Sequence, residues 1–150
     1  MLTEYSFTAD KFVFKVVKSL LYSRDDIWVR KEETGYSRIG LTDFAQRSSG
    51  DIVFAETQSE GTNVKNGSPL GSYETIKVVQ DIISPITGTI IENNPLLDSK
   101  PEIINSDPYG EGWITLIKPE LKLEGLLSAE EYFELMKVKV NDELKKIKGL

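Results

Sequence analysis

Gly71-Ser-Tyr-Glu-Thr-Ile-Lys77-Val-Val-Gln-Asp81-Ile-Ile-Ser84-Pro85-Ile86-Thr87-Gly88-Thr89-Ile90-Ile91 is the part of the chain on which its architecture turns. One lysine stands where two β-branched runs meet, and the second run ends in a Ser-Pro…Gly turn. β-Branched residues favour the pleated, half-buried surface of a strand. Leu70–Ile76 and Val78–Ile83 are therefore the expected arms of a hairpin, with Lys77 at its tip. A cation held there, flanked by hydrophobic strands, is placed to display a covalently attached prosthetic group. Most lysines are solvated surface charges, so Lys77 is singled out only by its surroundings.

Outward from the hairpin, the signals from Tyr22 to Gly125 are mostly β. Ile27–Arg30, Tyr36–Gly40, Asp51–Ala55, Gly88–Glu92 and Trp113–Ile117 are short strand candidates between turn residues. Gly61–Val64 and Lys65-Asn66-Gly67 supply turns, Asn-Gly being a strong tight-turn signal. Thr42–Arg47 is expected to form one helical turn capped by Thr42. Residues 93–112 form a long connection in which Pro95–Leu97 and Pro101–Ile104 are each expected to make a brief helical turn, with Pro at the first position. Many short strands with frequent turns point to a sandwich or barrel-like β domain.

Two flanking segments are expected to be helical. Over residues 8–21, Phe12, Val16 and Leu20 recur at i+4, with Val13, Val17 and Leu21 beside them, and Thr8 is a candidate N-cap. The β-branched content keeps a strand open as the alternative. After Gly125, Ser128-Ala-Glu-Glu131 is a capping box. Tyr132, Met136, Val140, Leu144 and Ile147 then fall on one helical face. Glu130, Glu131 and Glu134 come early and Lys145, Lys146 and Lys148 late, which suits the helix dipole and accounts for the basic tail without nucleic acid.

Composition excludes several function classes. The 150 residues suit a single domain with a real core, at 39% hydrophobic and 28% charged. No apolar run is long enough to span a bilayer. The first 21 residues contain Glu4 and Asp10 but no arginine, so they read neither as a secretory signal nor as a transit peptide, and a cytoplasmic location is expected. A net charge of -6 disfavours nucleic acid and anionic membrane as partners. The chain has no cysteine and no histidine. Disulfides, thiolate nucleophiles, Cys/His zinc sites and a Ser-His-Asp triad are thus ruled out. Asp25-Asp26 alone make a poor metal site, so no metal and no catalytic residue is expected. The balance shifts from enzyme to carrier or binding protein.

Six blocks in order resemble the H protein of the glycine cleavage system, the lipoyl-carrying member of that complex. They are Tyr22-Ser-Arg-Asp-Asp-Ile-Trp28-Val29, Ile39-Gly-Leu-Thr-Asp-Phe-Ala-Gln46, Gly50-Asp-Ile-Val-Phe54, Glu74-Thr-Ile-Lys77, Ser84-Pro85-Ile-Thr-Gly88 and Asp107-Pro-Tyr-Gly-Glu-Gly-Trp113. The resemblance runs from Tyr22 to Tyr132. It implies a mainly β barrel-sandwich hybrid (hammerhead, of the biotinyl/lipoyl-carrier type), with the C-terminal helix and the expected N-terminal helix added. The implied organisation is an extension over residues 1–21, a lipoyl-carrier domain over 22–127 and a helix over 128–150 packed on it.

The resemblance also implies roles. Lys77 would carry lipoate as an amide. Glu74, three residues earlier, would help the lipoylating enzyme recognise it. Ile76 and Val78 stand where biotin carriers usually have methionines. Asp81 matches a family position that can contact the end of the arm. The implied partners are glycine decarboxylase, aminomethyltransferase and dihydrolipoyl dehydrogenase. One departure bears on cargo: Asp26 and Ile27 stand where the family usually has histidine and glutamate, and that glutamate helps hold the charged aminomethyl end. Two other readings stay open. One is an H-protein-like carrier of sulfur for a heterodisulfide-reductase-like complex, and the other is an interaction module that has lost its modification. Trp28 is expected in the core. The 107–113 stretch reads equally as a docking loop or as a tight turn before a strand.

Overall fold

A computed structural model describes residues 3–148. The predicted hairpin is present as β8 (Pro69–Thr75) and β9 (Val79–Ile83), and β6 (Ile52–Thr57) pairs with β8 to complete a three-stranded sheet. A six-stranded sheet faces it. Its order is β3 (Leu21–Tyr22), β4 (Ile27–Lys31), β5 (Ser37–Leu41), β11 (Thr115–Pro119), β10 (Gly88–Asn93) and β7 (Asn63–Val64). All the pairings in both sheets are antiparallel. The inner faces share one core that includes Ile27, Val29, Ile39, Ile52, Leu70, Tyr73, Ile82 and Ile90. This is the expected barrel-sandwich architecture. β7 is a short strand where the sequence suggested only turns.

Period-two alternation explains why Ile27, Trp28 and Val29 are all buried. Ile27 and Val29 enter the inter-sheet core, while Trp28 enters a second core on the outer face. Trp28 Nε1 donates to the Pro108 carbonyl at 2.9 Å, so the ring is fixed as well as buried. Glycine is required opposite it: a Cβ on Gly40 would lie 2.6 Å from the indole ring.

The N-terminal segment corrects the sequence reading. Residues 8–21 are not a helix. β1 (Glu4–Ala9) and β2 (Phe12–Val17) form an antiparallel hairpin, and Thr8 is a mid-strand residue paired with Val13. A spacing of four is a multiple of two, so Phe12 and Val16 satisfy a strand as well as a helix. The deciding residues are Phe14 and Val16, both buried on one side with Lys15 between them. Asp10 turns the hairpin at φ +56°, a left-handed conformation that Asp tolerates and an α-helix excludes. The hairpin packs on the second core: Tyr5 stacks on Phe133 at 5.1 Å, and Phe14 meets Phe44 at 6.0 Å.

The remaining helices follow the sequence closely. α1 (Asp43–Ser49) is capped by Thr42, whose Oγ1 accepts from the Ala45 N–H. α2 (Leu96–Ser99) and α3 (Ile103–Ser106) are the two brief turns of the long connection, with each proline just ahead of the helical residues. α4 (Ala129–Lys148) opens with the reciprocal capping box, Ser128 N–H to Glu131 and Glu131 N–H to Ser128 Oγ. Among the described residues no helix is long and apolar enough to cross a membrane.

A polar chain, buried at Thr42 and Tyr132 and half-buried at Asp26, joins α4 to the body. Thr42 and Tyr132 share a hydroxyl–hydroxyl hydrogen bond of 2.8 Å, and the Tyr132 hydroxyl donates to Asp26 at 2.8 Å. A hydroxyl has one proton, so Thr42 donates to Tyr132 and Tyr132 to Asp26. Lys139 Nζ completes the cluster, 2.9 Å from the same carboxylate and 2.7 Å from the Arg24 carbonyl. Tyr132 also stacks on Tyr22 at 4.5 Å. Burial pushes the Asp26 carboxyl above its usual range, and the Lys139 ammonium is the strongest opposing influence.

Two outcomes are expected. Gly40→Ala should destabilise the fold by about 1–3 kcal/mol, the usual cost of overpacking. Urea denaturation reads this directly, and an unchanged midpoint would mean that Trp28 shifts without cost. Removing Lys139 (Lys139→Ala) should raise the pKa of Asp26 further, as read by NMR titration of its carboxyl carbon. A folded pKa above the unfolded value means that Asp26 favours the fold at low pH. That contribution falls as pH rises from about 3.9 through the folded pKa. In the variant the loss should extend to higher pH, and a pKa that moved down would refute the assignment.

Candidate functional site

Strand pairing places Lys77 where the sequence suggested. Thr75 and Val79 end the two arms, and Ile76, Lys77 and Val78 form the turn. The turn is held by a residue that the sequence reading passed over. Thr75 is buried, and its Oγ1 accepts from the N–H groups of both Lys77 (3.3 Å) and Val78 (3.1 Å). Its N–H donates to the Val78 carbonyl at 2.9 Å. A threonine two residues before the tip is the signal that sequence offered, since Ser/Thr hydroxyls commonly bond the backbone of a following turn.

Lys77 is exposed, and among the described residues no carboxylate lies within ion-pair distance of its ammonium. Acylating that amine would break no ion pair among the described residues. Ile76 is 95% exposed and Val79 70%, so the tip carries apolar surface on either side of the lysine. Val53 and Phe54, on neighbouring β6, are exposed too.

The three residues implicated from sequence are not gathered into one pocket. Glu74 is exposed on β8, opposite Val79, and lines no cleft beside the tip. Asp81 lies on β9 opposite Ser72 and lines a cleft of about 360 Å³ between the hairpin, α1 and α4. Asp25, Asp26, Glu143 and Asp81 give this cleft four carboxylates, against the two cations Arg24 and Lys139. Ile27 forms part of its wall from the buried side. Lys77 itself lines a different opening, on the far side of Ser48 and Glu143.

The 107–113 stretch is tied inward. The Pro108 carbonyl accepts from Trp28 and the Tyr109 carbonyl from Arg30. The Tyr109 hydroxyl donates to the Lys15 carbonyl at 2.7 Å and accepts from the Asp43 N–H. Gly112 has no room for a Cβ, which would lie 2.6 Å from the Ile103 carbonyl oxygen. The turn reading accounts for these residues.

Comparison with known proteins places the chain in a family. Residues 20–139 match the family model described as glycine cleavage H-protein. A glycine cleavage system H protein of Coprothermobacter proteolyticus is 46% identical over 122 residues, covering 79% of this chain and 94% of that protein. One from Oceanobacillus iheyensis is 45% identical over 117 residues, covering 77% and 92%. Among solved structures, a glycine cleavage system H protein from Mycobacterium marinum superposes with a TM-score of 0.72 at 33% identity, covering 78% of this chain and 95% of that one. The chain belongs to the glycine cleavage H-protein family, the non-catalytic carrier subunits of that system.

Proposed function

We propose that this protein is a lipoyl carrier, with lipoate joined through an amide to Lys77, and that its cargo is an aminomethyl group. The carrying observation is a lysine at the exposed tip of a well-bonded hairpin turn, with no ion-pair partner among the described residues, in a member of this family. Amide formation removes the lysine's charge, and the attached dithiolane supplies thiol–disulfide chemistry that a chain without cysteine lacks. The chain's own residues then present, shelter and release the arm. Partners by this reading are glycine decarboxylase, aminomethyltransferase and dihydrolipoyl dehydrogenase. Residues 22–127 would be the carrier domain, with the hairpin β1–β2 and α4 as additions to it.

Glu74 suits recognition by a lipoylating enzyme because it is exposed and three residues from the target. The exposed Ile76 and Val79 give that enzyme apolar contact at the tip. The acidic cleft suits the cargo. Ile27 replaces the family's glutamate with a side chain that accepts no hydrogen bond. Asp81 and Asp25 still face that space, with Glu143 beside them, so the carboxylate surplus remains. An ammonium end is favoured in such a cleft. That balance supports an amine over a sulfur cargo.

Incubation with a lipoylating enzyme, followed by intact mass and peptide mapping, should show one lipoyl amide on Lys77. Lys77→Arg should abolish both the adduct and carriage while leaving the denaturation midpoint unchanged, because an exposed turn lysine contributes little to stability. An adduct elsewhere, or a Lys77→Arg protein that still carries cargo, would refute the assignment. Asp81 is exposed, so Asp81→Asn should leave the fold intact and shorten retention of the aminomethyl cargo by about tenfold, equivalent to one charge-assisted contact. Unchanged retention would remove Asp81 from the role.

A further inference from the structure

The opening that Lys77 lines is a groove of about 380 Å³ between α1, the β1–β2 hairpin and the C-terminal half of α4. Its apolar walls are Ala9, Phe12 and Phe14 from the hairpin and Val140, Leu144 and Ile147 from α4. All six lie outside residues 20–139, the part that matches the family. Phe12 is 44% exposed and Ile147 80%, leaving apolar surface uncovered at the rim. The polar floor makes its own bonds. Gln46 donates to Asp43, and Asn105 bonds Gln46, the Gly50 carbonyl and the Ile52 N–H. Apart from Lys77, the charged groups of the lining are Arg47, 3.7 Å from the Asp43 carboxylate, Glu143, which accepts from Ser48, and Asp51 at the exposed edge. Between them the hairpin and α4 walls offer a continuous apolar surface, which suits an apolar occupant.

We propose that this groove holds the uncharged acyl arm of Lys77, as a second resting place distinct from the acidic cleft. The inference rests on the lipoyl reading above. The occupant is fixed by position: the Lys77 side chain already borders the groove, its Cε 3.9 Å from where a Cβ on Gly50 would stand. The next residue, Val78, borders the acidic cleft instead. Between the two spaces Ser48 Oγ donates to the Glu143 carboxylate at 3.0 Å, and both residues line both clefts. One tether therefore serves two neighbouring sites, one with mainly apolar walls and one with a surplus of carboxylates. An aliphatic chain ending in a neutral ring gains by leaving water for the apolar groove. An arm ending in an ammonium gains from the carboxylates on the other side. The load at the arm's end would then decide on which side of Ser48–Glu143 it lies.

The test uses the full chain, lipoylated at Lys77 and verified by intact mass. Amide and methyl NMR spectra before and after modification should show shifts at Phe12, Phe14, Val140 and Leu144. Phe12 sits at the exposed rim, so Phe12→Ser should preserve the fold. It should also speed reduction of the dithiolane by a water-soluble phosphine about fourfold, the equivalent of one methylene's burial. A modified protein with unmoved groove resonances, or with shifts confined to Asp81 and Ala45, overturns this inference and leaves the lipoyl reading standing. An unchanged reduction rate in Phe12→Ser also overturns it. A Lys77 that resists lipoylation overturns both.

Discussion

Asp26 holds together parts of this protein that lie more than a hundred residues apart in the chain. Its carboxylate accepts from Tyr132 and pairs with Lys139, both on α4, and Tyr132 in turn accepts from the hydroxyl of Thr42, which caps α1. One half-buried anion thus sets where α4 crosses the body and how α1 begins. The clefts beside the hairpin are the spaces left between those two helices and the sheets. A cluster of this kind is costly when incomplete and rigid when every group is paired. Among the described residues, no buried side-chain nitrogen or oxygen lacks a partner.

A carrier needs contrast between a fixed frame and a mobile arm. The frame is fixed by the inter-sheet core, by glycines where backbones meet, and by the inward bonds of the 107–113 turn. A Cβ on Gly71 would lie 2.2 Å from the Glu56 carbonyl oxygen, so β8 and β6 approach closely at the base of the hairpin that bears Lys77. Thr75 then stiffens the turn itself. What remains free is the lysine side chain and whatever it carries. Tethering makes each encounter with a partner effectively intramolecular, and a rigid base keeps the arm's reach constant.

Much of this could be read in the residues. Period-two runs bounded by Gly, Pro and Asn identified the main strands, and the Ser128–Glu131 box identified the start of α4. Lys77 stood out because two apolar arms met on it. The N-terminal hairpin did not stand out because Phe12, Val16 and Leu20 fit both periods. Only the burial of Phe14 and Val16 against α1 and α4 decides between strand and helix, and that is a long-range fact. Thr75 was legible as a turn residue but hidden by the lysine next to it. The division of Lys77 and Asp81 between two spaces depends on α4 crossing the domain, and local sequence carries no trace of it.

The two spaces also bear on how tightly an arm should be held. A groove that closed over its occupant would lower the arm's concentration at the partner enzymes and defeat the tether's purpose. The rim of the apolar groove is open at Phe12 and Ile147, so it shields one side of a chain without enclosing it. The acidic cleft would act by charge in partial contact with water, where attraction is modest. On the proposed reading both would be weak sites beside a covalent anchor. For a ligand already tethered at the edge, weak differences suffice, because the choice between neighbouring positions costs no further translational freedom.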